Sequence, residues 1–301
     1  MKHNKTIHIS DFCDSYNPII KSYATEYLSK IKSLDFMKTL IFNNISTKST
    51  KELIDFADET SDNYITSFIY RLVGVREIIF CRENKKQVDT KEVWKLISNS
   101  IRIIPSDFTI SSVGSQGFLS IPLYKNDLSL ETFDFIRLHI WDDSLNKFID
   151  SQKCQDFSIH SHTFFAKSWI IIGKVKNHRY EYEPATDYAT HSFFEVQYNK
   201  SLNEVNQHSS KAVNKNINAI LFKTSEEVHF AGGYYEIEPS KLHQSGHLNS
   251  PNSSATFFSF TGKDGLGESF VIGPKEIAES EINRKMNISP IYLLDKIDSQ
   301  L

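Results

Sequence analysis

The period of the hydrophobic pattern changes near residue 108, and that change limits what this chain can fold into. Before it, apolar residues recur at helical spacing, as in Ile19, Ile20, Tyr23, Tyr27, Leu28 and Ile31. Ser49 and Glu52 stand ahead of Leu53 and Phe56 in the order of a capping box. Asp89 and Glu92 repeat that order ahead of Val93, Trp94, Leu96 and Ile97, and Pro105 closes the segment. Tyr64 to Val75 reads as a further helix, whereas Val75 to Cys81 fits helix or strand. After residue 108, short runs rich in Phe, Ile, Val, Tyr and Thr alternate with Ser, Asn, Asp and Gly breaks. The runs cover 117–123, 132–141, 157–165, 169–175, 178–182, 191–198, 219–224, 234–238, 255–261 and 268–272. That many strands suits a double-sheet jelly roll or a small barrel. The fold class expected is therefore α+β: a helical region over 1–107, a β-barrel over 108–275 and a helical or irregular tail over 276–301. Residues 199–218, rich in Asn, Ser and Lys, read as a long surface loop.

Composition excludes several function classes. The formal net charge is −3, and the helical half has no basic face, so neither nucleic acid nor an anionic membrane is expected as a partner. No apolar run approaches the length of a membrane helix. The basic residues near the N-terminus are followed by no apolar signal core. The three cysteines are odd in number and far apart, which points to reduced thiols and a cytoplasmic protein. There is no Walker loop, no G-x-G-x-x-G after a strand and no G-x-S-x-G elbow. Gly262 to Gly267 holds three glycines between two strand runs and reads as a turn.

The chemistry-bearing feature is His160-Ser161-His162, within the run 157–165. Residues i and i+2 of a strand point to one face, so the two imidazoles form half of a metal site. Gly173 follows eleven residues after His162, and Gly233, Pro239 and His243 follow later. This arrangement resembles the two signatures of the cupin superfamily, G-x5-H-x-H-x3,4-E-x6-G and G-x5-P-x-G-x2-H-x3-N, over roughly residues 115–275. His160, His162 and Gly173 match the first, Gly233 and Pro239 match the spacing of the second, and His243 is its histidine. The departures are specific. Ala166 stands where the first signature has Glu, the Gly ahead of the first histidine is absent, Lys241 replaces a Gly, and His243 falls one residue early.

The resemblance implies a cupin-type double-stranded β-helix holding one divalent metal on His160, His162 and His243. Three histidines without a carboxylate are similar to the site of the thiol dioxygenases among the cupins, which implies Fe(II); zinc, manganese and nickel are alternatives. That family grips its substrate carboxylate with an Arg. Arg137 is the candidate here, because Phe135, Arg137, His139 and Trp141 share a strand face. Tyr234 and Tyr235 alternate faces, so one looks inward, and Tyr235 is the candidate to orient a ligand. His191, Glu195 and His247 are further possible ligands; His178 sits in hairpin-turn composition and reads as solvated. The function expected is a non-haem iron oxygenase acting on a small carboxylate- or thiol-containing molecule. A non-catalytic metal- or ligand-binding cupin, or a zinc or manganese isomerase or hydrolase, stays open. Exposed strand edges are compatible with a homodimer.

Overall fold

The computed structural model describes residues 5–114, 116–185, 187–198, 209–248 and 252–301. It divides into two compact units, Met1–Ile110 with Pro122–Asn126, and Ser111–Ile121 with Asp127–Leu301.

The first unit is helical. A short strand β1 (Thr6–His8) leads into α1 (Ile9–Ile20), followed by α2 (Leu34–Phe42). Strand β2 (Thr47–Ser49) pairs antiparallel with β1 and runs into α3 (Thr50–Glu59), α4 (Asn63–Glu83) and α5 (Thr90–Arg102). The α3 start is a complete capping box: the Ser49 hydroxyl accepts from the Glu52 amide, and the Glu52 carboxylate accepts from the Ser49 amide. Asp89 caps α5 through the Glu92 amide. The 75–81 stretch is helix, because it continues the buried stripe of Ile65, Phe68, Ile69, Leu72, Val75, Ile78 and Ile79. The pattern from Ile19 to Ile31 is not one helix: α1 ends at Ile20, and Thr25–Ser29 forms a 3-10 turn whose Tyr27 stacks on Tyr23, ahead of the turn, at 3.8 Å.

The second unit is built on two large antiparallel sheets. Its elements are β3 (Ser112–Val113), β4 (Leu119–Asn126, of which Leu119–Ile121 lies in this unit), β5 (Asp134–Trp141), α6 (Ser151–Asp156), β6 (Ile159–His160), β7 (Phe164–Ile172) and β8 (Lys174–Pro184). Then follow β9 (His191–Tyr198), β10 (Ser209–Phe230), β11 (Tyr234–Ile237), β12 (Leu242–His247), β13 (Ser254–Leu266), β14 (Val271–Pro274), β15 (Glu279–Asn283), β16 (Lys285–Met286) and α7 (Ile291–Asp298). One sheet has the order β15-β10-β8-β12-β6-β14-β9, with β10 also paired to β9; the other has the order β11-β7-β13-β5-β4-β3-β16. A shared core joins them: Val175 of β8 packs with Trp141, Ala166, Ile170, Tyr235, Ile237 and Phe258 of the other sheet. At the turn from β7 to β8, Gly173 has φ +79°, and a Cβ there would lie 2.3 Å from the Ser254 hydroxyl and 2.6 Å from the Ser253 carbonyl. Only glycine fits that combination of handedness and crowding.

Four expectations change. Residues 209–218, expected as loop, are the first half of β10, because β9 and β15 supply ladder partners on both sides of residues 210–213; residues 199–208 lie outside the described residues. Gly262 to Leu266 extend β13 instead of forming a turn. The 276–301 segment is not only helical or irregular: β15 joins β10, and β16 joins β3. The 157–165 run is broken, since β6 ends at His160 and β7 begins at Phe164. Among the described residues, no helix is long and apolar enough to cross a membrane.

Candidate metal centre

The break between β6 and β7 builds the site. Ser161, buried, is held on both sides by the 268–270 segment: its amide donates to the Phe270 carbonyl, its hydroxyl donates to the Glu268 carbonyl and accepts from the Phe270 amide. The Ser269 hydroxyl donates to the Ser161 carbonyl. The His162 carbonyl accepts from the Ser240 amide at 3.0 Å, and the Thr163 carbonyl from the Gly267 amide at 2.8 Å. A stretch outside any regular strand is thus fixed as firmly as one within a ladder, and both flanking histidines face the same side. On β12, His243 is paired directly with His160. Register therefore brings the second-signature histidine to the first.

The three ring centroids lie 4.8 Å (His160 to His162), 4.4 Å (His160 to His243) and 4.6 Å (His162 to His243) apart. One potential ligand nitrogen from each lies within 4.8 Å of the others, and this is the one group of three or more His, Cys, Asp or Glu side chains with such geometry among the described residues. The His160 Nδ1 stands 2.8 Å from the Ser158 carbonyl, which can only accept, so Nδ1 carries the proton and Nε2 keeps its lone pair. His243 Nδ1 lies 3.4 Å from the Lys241 carbonyl, a longer contact of the same kind. His162 Nδ1 is buried without a hydrogen-bond partner.

Burial lowers the pKa of all three rings below the ordinary value of 6.5. His162 and His243 are held well below it; for His162 the positive forms of His243, His160 and His139 and the charge of Arg137 add to burial, and for His243 the positive form of His160 adds most. Three neutral imidazoles in one place are costly to protonate and well suited to a cation. The donor set fits a divalent transition metal. With about 2.1 Å from metal to nitrogen, ligand nitrogens stand about 3 to 3.4 Å apart, so modest rotation of the rings closes the set.

Aromatic rings wall the site. Phe260 lies 4.7 Å from the His162 ring and Phe258 lies 6.0 Å from it. His139 is buried and sandwiched between Phe118 at 4.1 Å and Phe258 at 4.9 Å. Arg137 pairs across the ladder with Phe258, on the face that looks into the core, and its guanidinium sits 4.1 Å above the Phe135 ring. Phe258 thus stands between His162 and the β5 residues His139 and Arg137, stacking on the one and pairing with the other across the ladder.

The other candidates fall elsewhere. Tyr235 is buried, whereas Tyr234 is exposed, but the Tyr235 hydroxyl donates to Ser245, and its ring lies beside His229. Ser245 passes that chain to Asn177, and Asn177 to Glu227, which Arg179 and His229 also hold. These bonds keep the Glu227 carboxyl down at about 2 against the desolvation of burial. Tyr235 thus belongs to a neighbouring polar network and does not meet the three histidines. Glu195 is exposed on β9, His191 lies beside Thr190, and His247 lies 3.0 Å from the Ser254 hydroxyl. His178 is not in a turn: it lies within β8, mostly covered, with Glu226 at 2.9 Å. Sequence reasoning did not single out Gln116, whose amide nitrogen lies 3.4 Å from His160 Nε2, or Ser161 as the residue that fixes the pair.

No protein-family model matches the sequence, and no curated protein matches it. Among solved structures, a cupin-like protein from Thermotoga maritima is similar at 11% identity and a TM-score of 0.26, over 55% of this chain and 80% of that one. Hydroxypropylphosphonic acid epoxidase from S. wedmorenis is similar at 8% identity and a TM-score of 0.26, over 81% of this chain and 97% of that one. A TM-score of 0.26 marks too loose a likeness to carry fold or function from either protein to this chain.

Proposed function

We propose that the second unit is a cupin-type metal centre, with a double-stranded β-helix formed by its two sheets, and that it works as a non-haem iron(II) oxygenase on a small molecule bearing a carboxylate or a thiol. The observation that carries this reading is the convergence of His160, His162 and His243 without a carboxylate among them. The matched signature residues His160, His162, Gly173, Gly233, Pro239 and His243 support it. Ferrous iron on these nitrogens would supply a redox-active Lewis acid with coordination positions left open.

The protein's own groups divide the remaining work. His160 presents Nε2 because Ser158 holds its Nδ1 proton. Phe258 and Phe260 give the site an apolar flank at His162, while His160 and His162 stay half-buried and so within reach of a small molecule. Arg137 is the cation suited to a substrate carboxylate, because a guanidinium offers two parallel donors. Tyr235, tied to Ser245, takes no part in this account of substrate binding.

The test is oxygen uptake by iron-loaded protein offered a panel of small thiols and carboxylic acids. Uptake that depends on one of them, disappears in His162→Ala, and shows a raised KM in Arg137→Lys is the expected result. Iron-loaded protein that takes up no oxygen with any of them, while holding zinc tightly, would replace this reading with a zinc enzyme or binding module.

A further inference from the structure

We propose that Gln116 supplies a fourth metal ligand, through its side-chain oxygen, in place of the carboxylate absent at Ala166. This rests on the three-histidine reading above and goes beyond it, since Gln116 lies outside both histidine signatures.

The turn between β3 and β4 places this side chain. The Gly117 amide donates to the Gly114 carbonyl at 3.0 Å, and Gly117 has φ +77°, a conformation that side-chain-bearing residues rarely adopt. That turn presents Gln116 to His160, and the contact is between the Gln116 amide nitrogen and His160 Nε2, at 3.4 Å. It is the one hydrogen bond of the Gln116 side chain among the described residues.

Two features make the contact more than a chance one. Nε2 is the lone-pair nitrogen of His160, because Nδ1 donates to Ser158. A metal therefore takes the same lone pair that the amide N–H now uses, and the two cannot share it. The separation is also right. Two ligand atoms on one metal, each about 2.1 Å from it, lie about 3 to 3.4 Å apart. A half-turn of the amide group exchanges its nitrogen and oxygen with little change in shape. In that orientation the oxygen, which can only accept, faces the cation. The protein thus has an amide that caps the site in the absence of metal and completes it in the presence of metal.

The chemical consequence concerns charge. Three imidazoles and an amide are all neutral, so a divalent ion keeps both its positive charges, and Arg137 adds another nearby. The site then favours an anionic ligand more strongly than a site with a carboxylate would.

Cobalt(II) serves as the probe, because its visible absorption reports ligand number without turnover. Wild type, Gln116→Ala, Gln116→Glu and His243→Ala would be titrated with cobalt(II) against a competing chelator, with circular dichroism to check each metal-free fold. Wild type should bind one cobalt per chain. Gln116→Ala should bind about tenfold or more weakly, because even outer partners of ligands are worth that much, and its visible band should change in intensity. Gln116→Glu should bind more tightly than wild type. Equal affinity and an unchanged spectrum in Gln116→Ala would overturn the role of Gln116 and leave the three-histidine site standing. Weaker binding by Gln116→Glu than by Gln116→Ala would overturn it too. Failure of wild type to bind cobalt at all, or undiminished binding by His243→Ala, would instead sink the three-histidine reading and this inference with it.

Discussion

At the scale of single residues, the site depends on a serine as much as on its histidines. Ser161 is buried and spends its amide, hydroxyl and carbonyl on the 268–270 segment. Ser161→Ala removes the hydroxyl and leaves the amide of half-buried Phe270 without its partner, which costs about 1 kcal/mol. It should lower the chemical-denaturation midpoint and weaken metal binding together; a midpoint and affinity equal to wild type would show that the backbone bonds alone hold the pair. The histidines also set a pH dependence. Their folded pKa values lie below 6.5, so between about pH 6.5 and 5 the unfolded chain takes up protons that the folded chain does not. Metal-free protein should therefore have a lower urea midpoint at pH 5.5 than at pH 7.5, and an equal or higher one would contradict the assigned burial. The histidine pair was legible because a two-residue spacing has one geometric meaning on extended chain. Gln116 was not, because a lone amide in a turn has no spacing to betray it. His178 was misread because Lys176, Asn177 and Arg179 have turn-like chemistry, while in the ladder Asn177 and Arg179 are absorbed by Glu227 and His178 by Glu226.

At the scale of elements, local rules explain where helices and strands begin and turn. Ser49→Ala should cost about 1 kcal/mol through the α3 capping box, read as a lower unfolding midpoint of the helical unit; no change would mean that α3 is set by packing alone. Gly173→Ala places a Cβ against Ser253 and Ser254 at positive φ, and it should cost more than about 1 kcal/mol, seen as a clear fall in melting temperature. The helical half was readable because its caps are written in adjacent residues. Strand β9 was readable for a similar reason: Phe193, Phe194, Val196 and Tyr198 crowd β-favouring residues into one short stretch. The first half of β10 was hidden, since Lys211, Asn214, Lys215 and Asn216 look like loop until β9 and β15 are seen to flank residues 210–213. Long-range pairing, which no local window contains, decided that segment. The same holds for β15, whose alternation of exposed and half-buried residues is too polar to announce a strand.

At the scale of the molecule, the second unit brings residues from widely separated parts of the chain to one place: Gln116 from a turn, His160 and His162 from a strand break, His243 from a paired strand, and Phe258 and Phe260 from the facing sheet. A ligand that binds only the folded arrangement stabilises it, by about 2.7 kcal/mol at a hundred times its Kd. A divalent metal should raise the melting temperature of wild type and leave that of His243→Ala unchanged. The alliance of His160, His162 and His243 could be anticipated from the signature spacing, but the wall around it could not, because Phe118 and side chains on β5 and β13 meet only through register. The most direct test is the metal content of the protein purified without added metal or chelator, read by elemental analysis beside His160→Ala, His162→Ala and His243→Ala. The account predicts one transition metal, iron, per wild-type chain and background levels in all three variants. A wild-type protein without iron, manganese, nickel or zinc, or variants that retain the full metal content, would contradict it.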